Sequence, residues 1–463
     1  MKKTKIIATV GPSSKNPKVL ETLFKAGVDA CRLNFSFGSY EEHLEVVKTI
    51  RAVSRKVGKP IAIIQDLQGP KIRIGKLKAP VTVKKGDELI LTGSSKHVRQ
   101  NVLPTTYTNI ANDAEVGKTI LLADGTINLK VLKIKKENRA VHCRVNVGGT
   151  ILTGKGINLP YIKVSLPSLT PKDRRDLQFG IKAGVDYIAE SFVRTAADVA
   201  GVKRILKRQG ADIPVIAKIE KPEAFDCIEE IVDAADGIMV ARGDLAVEIS
   251  LARVPVAQKE IIRLANRKGK ITITATQMLE SMIENPVPTR AEASDVANAI
   301  LDGTDAVMLS GETATGKYPL NAIRVMSEIA EEIEASQIAT KGVKEMLSLP
   351  EDDSIRNAIC SATAYLSYLT KEKGLAVFSG KGLTVRILSK FRPETNIFAA
   401  SNEEAICNRM ALLHNVSPIL LSGSLKDAPA SISVLKQSLL NKKLVKKGDK
   451  IIILTGGHYE TKW

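Results

Sequence analysis

The sequence predicts an α/β protein: a (β/α)₈ TIM barrel with an inserted all-β lid domain and a C-terminal open α/β domain. Eight short β-rich runs recur along the first two thirds of the chain, and helix-length amphipathic segments separate most of them. A long β-rich stretch interrupts the series after the third run. An even set of parallel units lets a sheet close without edges, so the count favours a barrel.

The eight runs define the barrel strands, and the segments between them define its helices. The runs are Ile6–Val10, Ala30–Leu33, Ile61–Ile64, Tyr187–Ala189, Val215–Ala217, Gly237–Val240, Ile271–Thr274 and Ala306–Leu309. Glycines that precede several of these runs are typical of helix C-termini: Gly27, Gly58, Gly184, Gly269 and Gly303. We assign residues 1–70 and 164–336 to this barrel, the A domain.

Two further domains complete the predicted organisation. Residues 71–163 alternate short strands and turns, as in VTVKKGDELILTG, and we predict an inserted β-barrel, the B domain. Its position after the third strand is on the active face of a barrel, where an insertion can act as a lid. Beyond a polar tract, residues 337–463 resume the strand–helix alternation of a three-layer α/β domain.

The charge balance predicts an anionic partner. Lysine and arginine total 68 against 50 acidic residues, a formal net charge of +18. Aromatic residues make up only 4% of the chain and do not interleave with basic runs, which favours phosphorylated metabolites over nucleic acid. No apolar run approaches the length of a membrane span, and the amino terminus lacks a cleavage-site pattern. We therefore expect a cytoplasmic protein with no membrane or nucleic-acid partner.

Polar side chains follow at least six of the predicted strands at their carboxyl ends, where barrel enzymes carry their reacting groups. In strand order they are Arg32, Asn34 and Ser36; Asp66, Lys71 and Arg73; Lys218 and Glu220; Gly243 and Asp244; Thr276; and Ser310 and Glu312. Any single one of them fits a solvated loop. Six strands together indicate an active site.

Phosphoryl transfer is the chemistry that these groups share. Glu220 and Asp244 offer hard oxygen ligands from neighbouring strands, suited to a Mg²⁺ that takes further ligands from substrate and water. Lys218 points to the same side of its strand as Glu220. A cation and a metal ion on either side of a phosphoryl group neutralise its charge. A simple ion pair between Lys218 and Glu220 is the alternative interpretation.

Seven segments, taken in order, resemble the pyruvate kinase family: KIIATVGPSS, RLNFSFG, DLQGPKIRIG, VIAKIEKPEA, GIMVARGDLAVEI, TATQMLESM and VMLSGETATGKYP. The resemblance covers almost the whole chain and implies the same A, B and C domains. It also implies transfer of the phosphoryl group of phosphoenolpyruvate to ADP, which gives pyruvate and ATP in the last step of glycolysis. A homotetramer with allosteric control is a further implication of the resemblance.

The resemblance also implies roles for the residues at the strand ends. Lys218 would stabilise the transferring phosphoryl group and the enolate, while Glu220 and Asp244 would ligate Mg²⁺, with Mn²⁺ as a substitute. The amides of Gly243 and Asp244, with the hydroxyl of Thr276, would hold the substrate carboxylate. Arg32 and Arg73 would contact phosphates, and Asn34, Ser36 and Asp66 would lie near the phosphoryl group. The nucleotide would be contacted by Arg32, Asn34, Asp124 and Lys172. A proton relay would run through Thr276, Ser310 and Glu312.

Two departures from the family pattern concern the cavity. Phe37 replaces a frequent histidine, so its contact with the nucleotide is open. Members that need K⁺ generally carry Thr and Glu where this chain has Leu67 and Lys71. Leu67 lacks a hydroxyl ligand, and the Lys71 ammonium can lie in the monovalent-cation region with Asn34, Ser36 and Asp66. We therefore predict activity without K⁺, because a tethered cation supplies that charge.

A glycine-rich segment in the C-terminal domain is a candidate effector loop. Its residues are Ser379, Gly380, Lys381, Gly382 and Thr384, which stand between a predicted strand and a helix. Hydroxyls, glycines and a lysine at a helix N-terminus can bind a phosphorylated effector. The usual Ser-Gly-x-Thr pattern of the family is displaced here, and an ordinary strand-to-helix turn is the alternative.

Three rival functions use part of the same pattern. A nucleic-acid-binding protein would explain the positive charge but not the polar strand ends. A lyase or aldolase with enolate chemistry would use Glu220 and Asp244 but would not need the long β insertion. An inactive relative of the enzyme is disfavoured because Lys218 and Thr276 are also present.

Overall fold

The computed structural model describes residues 2–94, 101–336, 354–423 and 428–455. None of the helices in these ranges combines the length and apolar character needed to cross a membrane. The polar tract assigned to the start of the C domain, residues 337–353, lies outside the described residues. The boundary at residue 336 therefore stays a prediction.

The chain opens with alternating strands and helices. In order they are β1 (Lys5–Thr9), α1 (Pro17–Ala26), β2 (Ala30–Asn34), α2 (Tyr40–Val57) and β3 (Ala62–Asp66). The sequence sets the limits of α2 directly. Ser39 and Glu42 form a reciprocal capping box at its start, and Gly58 ends it in the left-handed conformation with φ +69°.

A β-rich insertion follows β3. Its elements are β4 (Val81–Val83), β5 (Glu88–Thr92), β6 (Val102–Pro104), α3 (Ile110–Asp113), β7 (Thr119–Leu122), β8 (Ile127–Lys135), β9 (Ala140–Val147), β10 (Gly149–Ile151) and β11 (Ile157–Asn158). The strands form a six-stranded sheet, β11-β7-β8-β9-β5-β6, and a two-stranded sheet of β10 and β4. Two isolated bridges among the described residues, Arg73–Gly156 and Ile74–Thr105, add hydrogen bonding outside these strands. The inserted β-barrel that the sequence indicates stays a prediction.

The chain then returns to strand–helix alternation. The elements are α4 (Pro171–Ala183), β12 (Tyr187–Glu190), α5 (Ala196–Arg208), β13 (Val215–Ile219), α6 (Ile228–Ala234), β14 (Gly237–Ala241), α7 (Arg242–Glu248), α8 (Val254–Arg267), β15 (Ile271–Ala275), α9 (Arg290–Leu301), β16 (Ala306–Leu309), α10 (Gly311–Ala314) and α11 (Pro319–Ala335). All eight predicted parallel strands are present, and the predicted fold class is confirmed.

The eight parallel strands close into a barrel in the order β1-β16-β15-β14-β13-β12-β3-β2. Alternate residues of each strand face opposite sides. Ile7, Ile64 and Met239 belong to one core cluster, while the strand neighbours Ile6 and Ile63 pack in another with the surrounding helices. Both faces are buried, which explains the continuous apolar runs in the sequence. Because the strands are parallel, closure also places the carboxyl ends of all eight strands at the same end of the barrel.

The C-terminal part is a four-stranded parallel sheet, β19-β18-β17-β20, with helices. Its elements are α12 (Ile355–Thr370), β17 (Gly374–Phe378), α13 (Leu383–Lys390), β18 (Ile397–Ser401), α14 (Glu404–Met410), β19 (Val416–Leu420), α15 (Ala428–Asn441) and β20 (Ile451–Leu454). It packs against the base of the barrel. Lys390 contacts the buried Asp305 at the start of β16, and Arg392 lies 2.8 Å from the same carboxylate.

Candidate active site

A cavity of about 430 Å³ opens where the barrel strands end and the insertion approaches. Its polar wall contains most of the residues that the sequence places at the strand ends. They are Arg32, Asn34, Ser36, Asp66, Lys71, Arg73, Asp124, Lys218, Glu220 and Asp244. Because these come from β2, β3, β13, α7 and the insertion, only the closed barrel and its insertion together create the site.

Lys218 on β13 is the electrostatic centre of this cavity. Its Nζ lies 2.9 Å from Glu220 Oε1 and 3.1 Å from Asp66 Oδ1. It also donates a hydrogen bond of 2.7 Å to Ser191 Oγ, which in turn donates to the carbonyl of Leu67. Burial alone would lower the pKa of Lys218, but the two carboxylates outweigh it and raise this pKa above its ordinary value. The lysine therefore stays cationic at neutral pH.

Asp66 holds a second cation in place at the end of β3. Its Oδ2 accepts a hydrogen bond of 2.6 Å from Arg32 Nε, and Arg32 Nη1 donates to Thr9 Oγ1 at 3.2 Å. Although burial opposes ionisation, Lys218 and Arg32 lower the pKa of Asp66. One buried carboxylate thus fixes two cations that both line the cavity, a preorganised field for a phosphate group.

Two carboxylates of the wall fit a divalent metal ion. Glu220 Oε2 accepts a hydrogen bond from the Phe192 amide at 2.7 Å, which orients the side chain, and Asp244 lines the cavity from the first turn of α7. Within the described residues no three His, Cys, Asp or Glu side chains gather as metal ligands. Two hard oxygen donors beside open space suit Mg²⁺, which usually keeps waters and takes substrate oxygens as ligands.

Lys71 and other residues of the insertion form a further part of the cavity wall. The ammonium of Lys71 lies 3.2 Å from Asp244 Oδ1, and Arg73 Nη1 donates to the carbonyl of Gly154 at 2.9 Å. Asp124 has a positive φ of 56° and also lines the cavity. The Lys71–Asp244 contact joins the insertion to the barrel, whereas Arg73 and Gly154 both belong to the insertion.

Thr276 and Gly243 are in contact with each other and lie beside the cavity. Thr276 has φ +71°, a strained conformation for a β-branched residue, and Arg242 donates to its carbonyl at 3.0 Å. The Gly243 amide donates to Thr276 Oγ1 at 2.6 Å, so this amide already has an acceptor. A Cβ at position 243 would meet Thr276 Oγ1 at 3.2 Å, which explains why glycine fits here.

Ser310 and Glu312 follow the next strand. Glu312 is fully buried, and its carboxylate accepts hydrogen bonds from the amides of Ser310 and Leu279 at 2.7 and 3.1 Å. The buried Ser310 hydroxyl meets no partner among the described residues. Neither residue is part of the cavity lining, so their predicted role in proton transfer stays a prediction.

Two other predicted groups are engaged elsewhere. Lys172 Nζ donates to the Phe35 carbonyl and to Asp176, both at 2.6 Å, beside the cavity wall rather than in it. In the candidate effector loop, the Ser379 hydroxyl accepts a hydrogen bond from the Gly382 amide at 2.8 Å. Their predicted contacts with nucleotide and effector stay predictions.

Comparison with known proteins identifies the architecture that carries this cavity. A family model described as "Pyruvate kinase, barrel domain" matches residues 1–323, and one described as "Pyruvate kinase, alpha/beta domain" matches residues 357–462. The chain belongs to the pyruvate kinase family. Membership of that family makes it a phosphotransferase, as the resemblance of the sequence segments implies.

Curated pyruvate kinases from staphylococci align with nearly the whole chain. The pyruvate kinases of Staphylococcus epidermidis (strain ATCC 35984) and Staphylococcus aureus (strain MRSA252) are each 43% identical over 457 residues. The pyruvate kinase of Staphylococcus saprophyticus is 44% identical over 458 residues. In each case the match covers 98% of this chain and 78% of the relative.

Ser191 and Phe192, which follow β12 and line the cavity, are not among the residues predicted from the sequence. Ser191 links Lys218 to the β3 loop, and Phe192 positions Glu220. The signal in the sequence is the polar pair Glu190-Ser191, which directly follows the fourth apolar run.

Glu190, the residue before Ser191, makes the stability of the folded protein depend on pH. Its side chain is 1% exposed, and neither carboxyl oxygen has a hydrogen-bond partner among the described residues. Burial, aided by the carboxylate of Asp198, raises the pKa of Glu190 to about 8. The carboxyl group is therefore neutral in the folded protein but ionised in the unfolded chain at neutral pH.

Glu190→Gln is expected to stabilise the protein as the pH rises. A raised folded pKa gives stability that is complete below the ordinary pKa and is lost as the pH rises towards about 8. The variant should exceed the wild type by less than about 1 kcal/mol near pH 5 and by roughly 3 kcal/mol at pH 7. Thermal unfolding of both proteins at pH 5, 7 and 9 measures this. An equal difference at all three pH values would contradict the assignment.

Proposed function

We propose that the protein transfers the phosphoryl group of phosphoenolpyruvate to ADP, giving pyruvate and ATP, in the last step of glycolysis. The observation that carries the proposal is the joint lining of one cavity by Lys218, Glu220 and Asp244. Family membership supports the same reaction. A cation and two metal-binding carboxylates in one cavity are the requirements of phosphoryl transfer, in which positioning and charge neutralisation do most of the work.

The cationic side chains bind and orient the migrating group. Lys218 is held by Asp66 and Glu220 and offers its charge to the phosphoryl oxygens and to the enolate oxygen left behind. Arg32 is fixed by Asp66, and Arg73 is fixed by the insertion, so both can contact phosphate from opposite walls. These cations need little reorganisation during the reaction, which is the source of their catalytic effect.

Glu220 and Asp244 would hold Mg²⁺, or Mn²⁺ as a substitute, in this enzyme. When bound, the ion would supply positive charge that offsets the negative charge of the phosphate and the enolate. Asp244 must exchange its contact with Lys71 for the ion, and Glu220 must share its charge between the ion and Lys218. Both carboxylates face the cavity, so these exchanges need only small side-chain movements.

The neighbouring loops would bind the substrate carboxylate and deliver a proton to the enolate. The amides of Gly243 and Asp244 would bind the carboxylate at the start of α7, beside the Thr276 hydroxyl, once the Gly243 amide exchanges its hydrogen bond with Thr276 Oγ1 for the substrate. Thr276, Ser310 and Glu312 would deliver the proton to the enolate carbon. The unpartnered hydroxyl of Ser310 and the fixed carboxylate of Glu312 support this relay.

The insertion would act as the lid, with the chain divided into an A domain (1–70 and 164–336), a B domain (71–163) and a C domain (337–463). Asp124 and, after a change of partner, Lys172 would contact the nucleotide with Arg32 and Asn34 when the lid closes. Closure would exclude water from the transferring group and protect the product from hydrolysis.

A coupled assay tests the proposal. The protein, phosphoenolpyruvate, ADP and Mg²⁺ are mixed, and pyruvate is followed through NADH consumption by lactate dehydrogenase. We expect pyruvate to form only when all three small molecules are present, and ATP to appear in equal amount. Pyruvate formation without ADP would indicate a phosphatase, and its absence under every condition would reject the proposal.

The same assay tests independence from K⁺. Leu67 and Lys71 replace the residues expected around a bound K⁺, and the Lys71 ammonium lies within the cavity wall. We expect KCl to raise the rate in K⁺-free buffer by less than about tenfold, because a tethered ammonium already supplies the charge. Tetramethylammonium chloride controls for ionic strength. Lys71→Gln removes the charge and should make the rate respond to K⁺; a strong response of the wild type would contradict the proposal.

A homotetramer, allosteric control and a cytoplasmic location complete the proposal. One exposed face of α12 supports contact between subunits. Its apolar residues recur at helical spacing and include Ile355, Ile359, Leu366 and Leu369, of which Ile355 is 79% and Leu369 60% exposed. Such a stripe is typical of a helix that packs against a partner. Phosphorylated effectors would bind the C domain near Ser379, Gly380, Lys381, Gly382 and Thr384.

A further inference from the structure

A second cavity, of about 570 Å³, lies between the base of the barrel and the C-terminal domain. Its barrel side is formed by α5 and by the loop that leads into β13. Its other side is formed by the start of α13 and by α14. This cavity lies at the opposite end of the barrel from the active site, because it borders the beginnings of the strands rather than their carboxyl ends.

The cavity carries a surplus of positive charge. Five cationic side chains and two carboxylates line it: Lys203, Lys207, Lys381, Arg386 and Arg409, with Asp212 and Asp236. Asp236 is already engaged, since it lies 2.9 Å from Lys203 and accepts the Val215 amide at 2.9 Å. With five cations against two carboxylates, one of them already paired, the lining keeps a net positive charge. Such a potential favours an anionic ligand.

Two arginines of this cavity each have one unsatisfied donor within the part of the chain that the structure describes. The Nε–H groups of Arg386 and Arg409 are buried and meet no acceptor there. A buried donor without an acceptor costs free energy, which an anionic ligand in the cavity would recover. The positive charge of Arg386 also affects Lys270. Burial, together with this charge, lowers the pKa of Lys270 to about 8.

The apolar wall of the cavity comes from both domains. Ile213 and Pro214 of the barrel and Met410 and Leu413 of the C-terminal domain contribute to its lining. An inorganic anion would leave this wall in contact with water. A ligand that combines an anionic group with a flat apolar part would fill both halves of the cavity.

We propose that this interdomain cavity binds a small phosphate monoester with an apolar ring, its phosphate on Arg386, Arg409 and Lys381 and its ring against Ile213 and Met410. The proposal rests on the effector binding proposed above for the C domain, and it assigns that ligand a site shared with the barrel. Two arginines beside the glycine-rich loop would supply the main phosphate contacts, since arginine binds phosphate in a bidentate manner.

The helix that carries Arg386 also joins the two domains. Arg386 lies one turn before Lys390 on α13, and Lys390 contacts Asp305 and donates to Asn266 at 2.9 Å. Asp305 Oδ2 accepts the amide of Thr272 in β15 at 2.7 Å. A ligand on Arg386 thus acts on a helix whose other end is anchored to the strands that lead to Thr276 and Ser310.

Calorimetric titration with phenyl phosphate tests the proposal without any substrate. We expect one phenyl phosphate per chain, with affinity reduced at least ~10-fold in Arg386→Gln and in Arg409→Gln, because each loses a charge-assisted phosphate contact. Arg386→Lys should retain part of the affinity. Inorganic phosphate and glucose 6-phosphate should bind more weakly than phenyl phosphate, since neither fills the apolar wall.

The controls separate this site from the active site and from the proposed reaction. Arg204→Gln changes an exposed arginine of α5 that does not line the cavity, and it should bind like the wild type. Lys218→Met reports on phenyl phosphate bound in the active site. Binding that survives Arg386→Gln and Arg409→Gln but disappears in Lys218→Met would overturn the proposal, as would no binding at all. Loss of pyruvate formation with binding intact would instead reject only the reaction.

Discussion

Lys218→Met is expected to lower the rate of pyruvate formation by at least about 10³-fold. The methionine side chain keeps the length of lysine but removes the ammonium that lies 2.9 Å from Glu220 and 3.1 Å from Asp66. Without it, negative charge that develops on the phosphoryl and enolate oxygens faces two carboxylates with no cation between them. The steady-state coupled assay at saturating phosphoenolpyruvate, ADP and Mg²⁺ measures the loss in kcat.

The same substitution disturbs a buried network, so folding must be measured alongside activity. Lys218 is 8% exposed, and its removal leaves carboxylates without their partner. Circular dichroism and the thermal midpoint establish whether the barrel is intact. Lys25→Met is the matched control, since Lys25 is exposed and pairs only with Glu21 at the surface. Comparable kcat in wild type and a folded Lys218→Met protein would remove Lys218 from the mechanism.

Glu220→Gln is expected to reduce kcat by about 10²- to 10³-fold and to raise the Mg²⁺ concentration needed for half-maximal activity. The amide keeps the shape and can still accept the Phe192 hydrogen bond, but it no longer provides a negative ligand for the metal ion. Part of the loss should be recovered with Mn²⁺, which accepts nitrogen and neutral oxygen ligands more readily. Rates measured across a range of Mg²⁺ and Mn²⁺ concentrations give both quantities.

A surface carboxylate provides the control for this second variant. Glu260→Gln changes an exposed glutamate on α8, away from the cavity, and should leave both kcat and the metal requirement unchanged. The assignment of Glu220 as a metal ligand would be wrong if Glu220→Gln lost activity without any change in its dependence on Mg²⁺.

The barrel could be predicted from the sequence because its strands are buried on both faces. Continuous apolar runs such as Ile6–Val10 and Ala306–Leu309 have few other structural explanations when helical segments separate them. The glycines that end the helices were equally informative: Gly58 and Gly184 both adopt the left-handed conformation, with φ +69° and +71°. The positions of Asp66, Lys218, Glu220 and Asp244 in one cavity followed from barrel closure.

Contacts between distant elements could not be predicted in the same way. The pairing of Lys71 with Asp244 depends on how the insertion joins the barrel, and no local pattern encodes that distance. How the strands of the insertion pair into a six-stranded and a two-stranded sheet likewise depends on contacts between segments far apart in the sequence. The interdomain cavity likewise depends on how the C-terminal domain packs against the strand beginnings.

Diffraction from crystals grown with Mn²⁺ and phosphoenolpyruvate would test the central arrangement most directly, since the anomalous signal locates the metal ion. We expect one anomalous peak, from a manganese ion coordinated by the carboxylates of Glu220 and Asp244. The substrate phosphate should lie between that ion and Lys218 Nζ. A manganese ion bound elsewhere, or a phosphate that contacts neither the ion nor Lys218, would contradict the account.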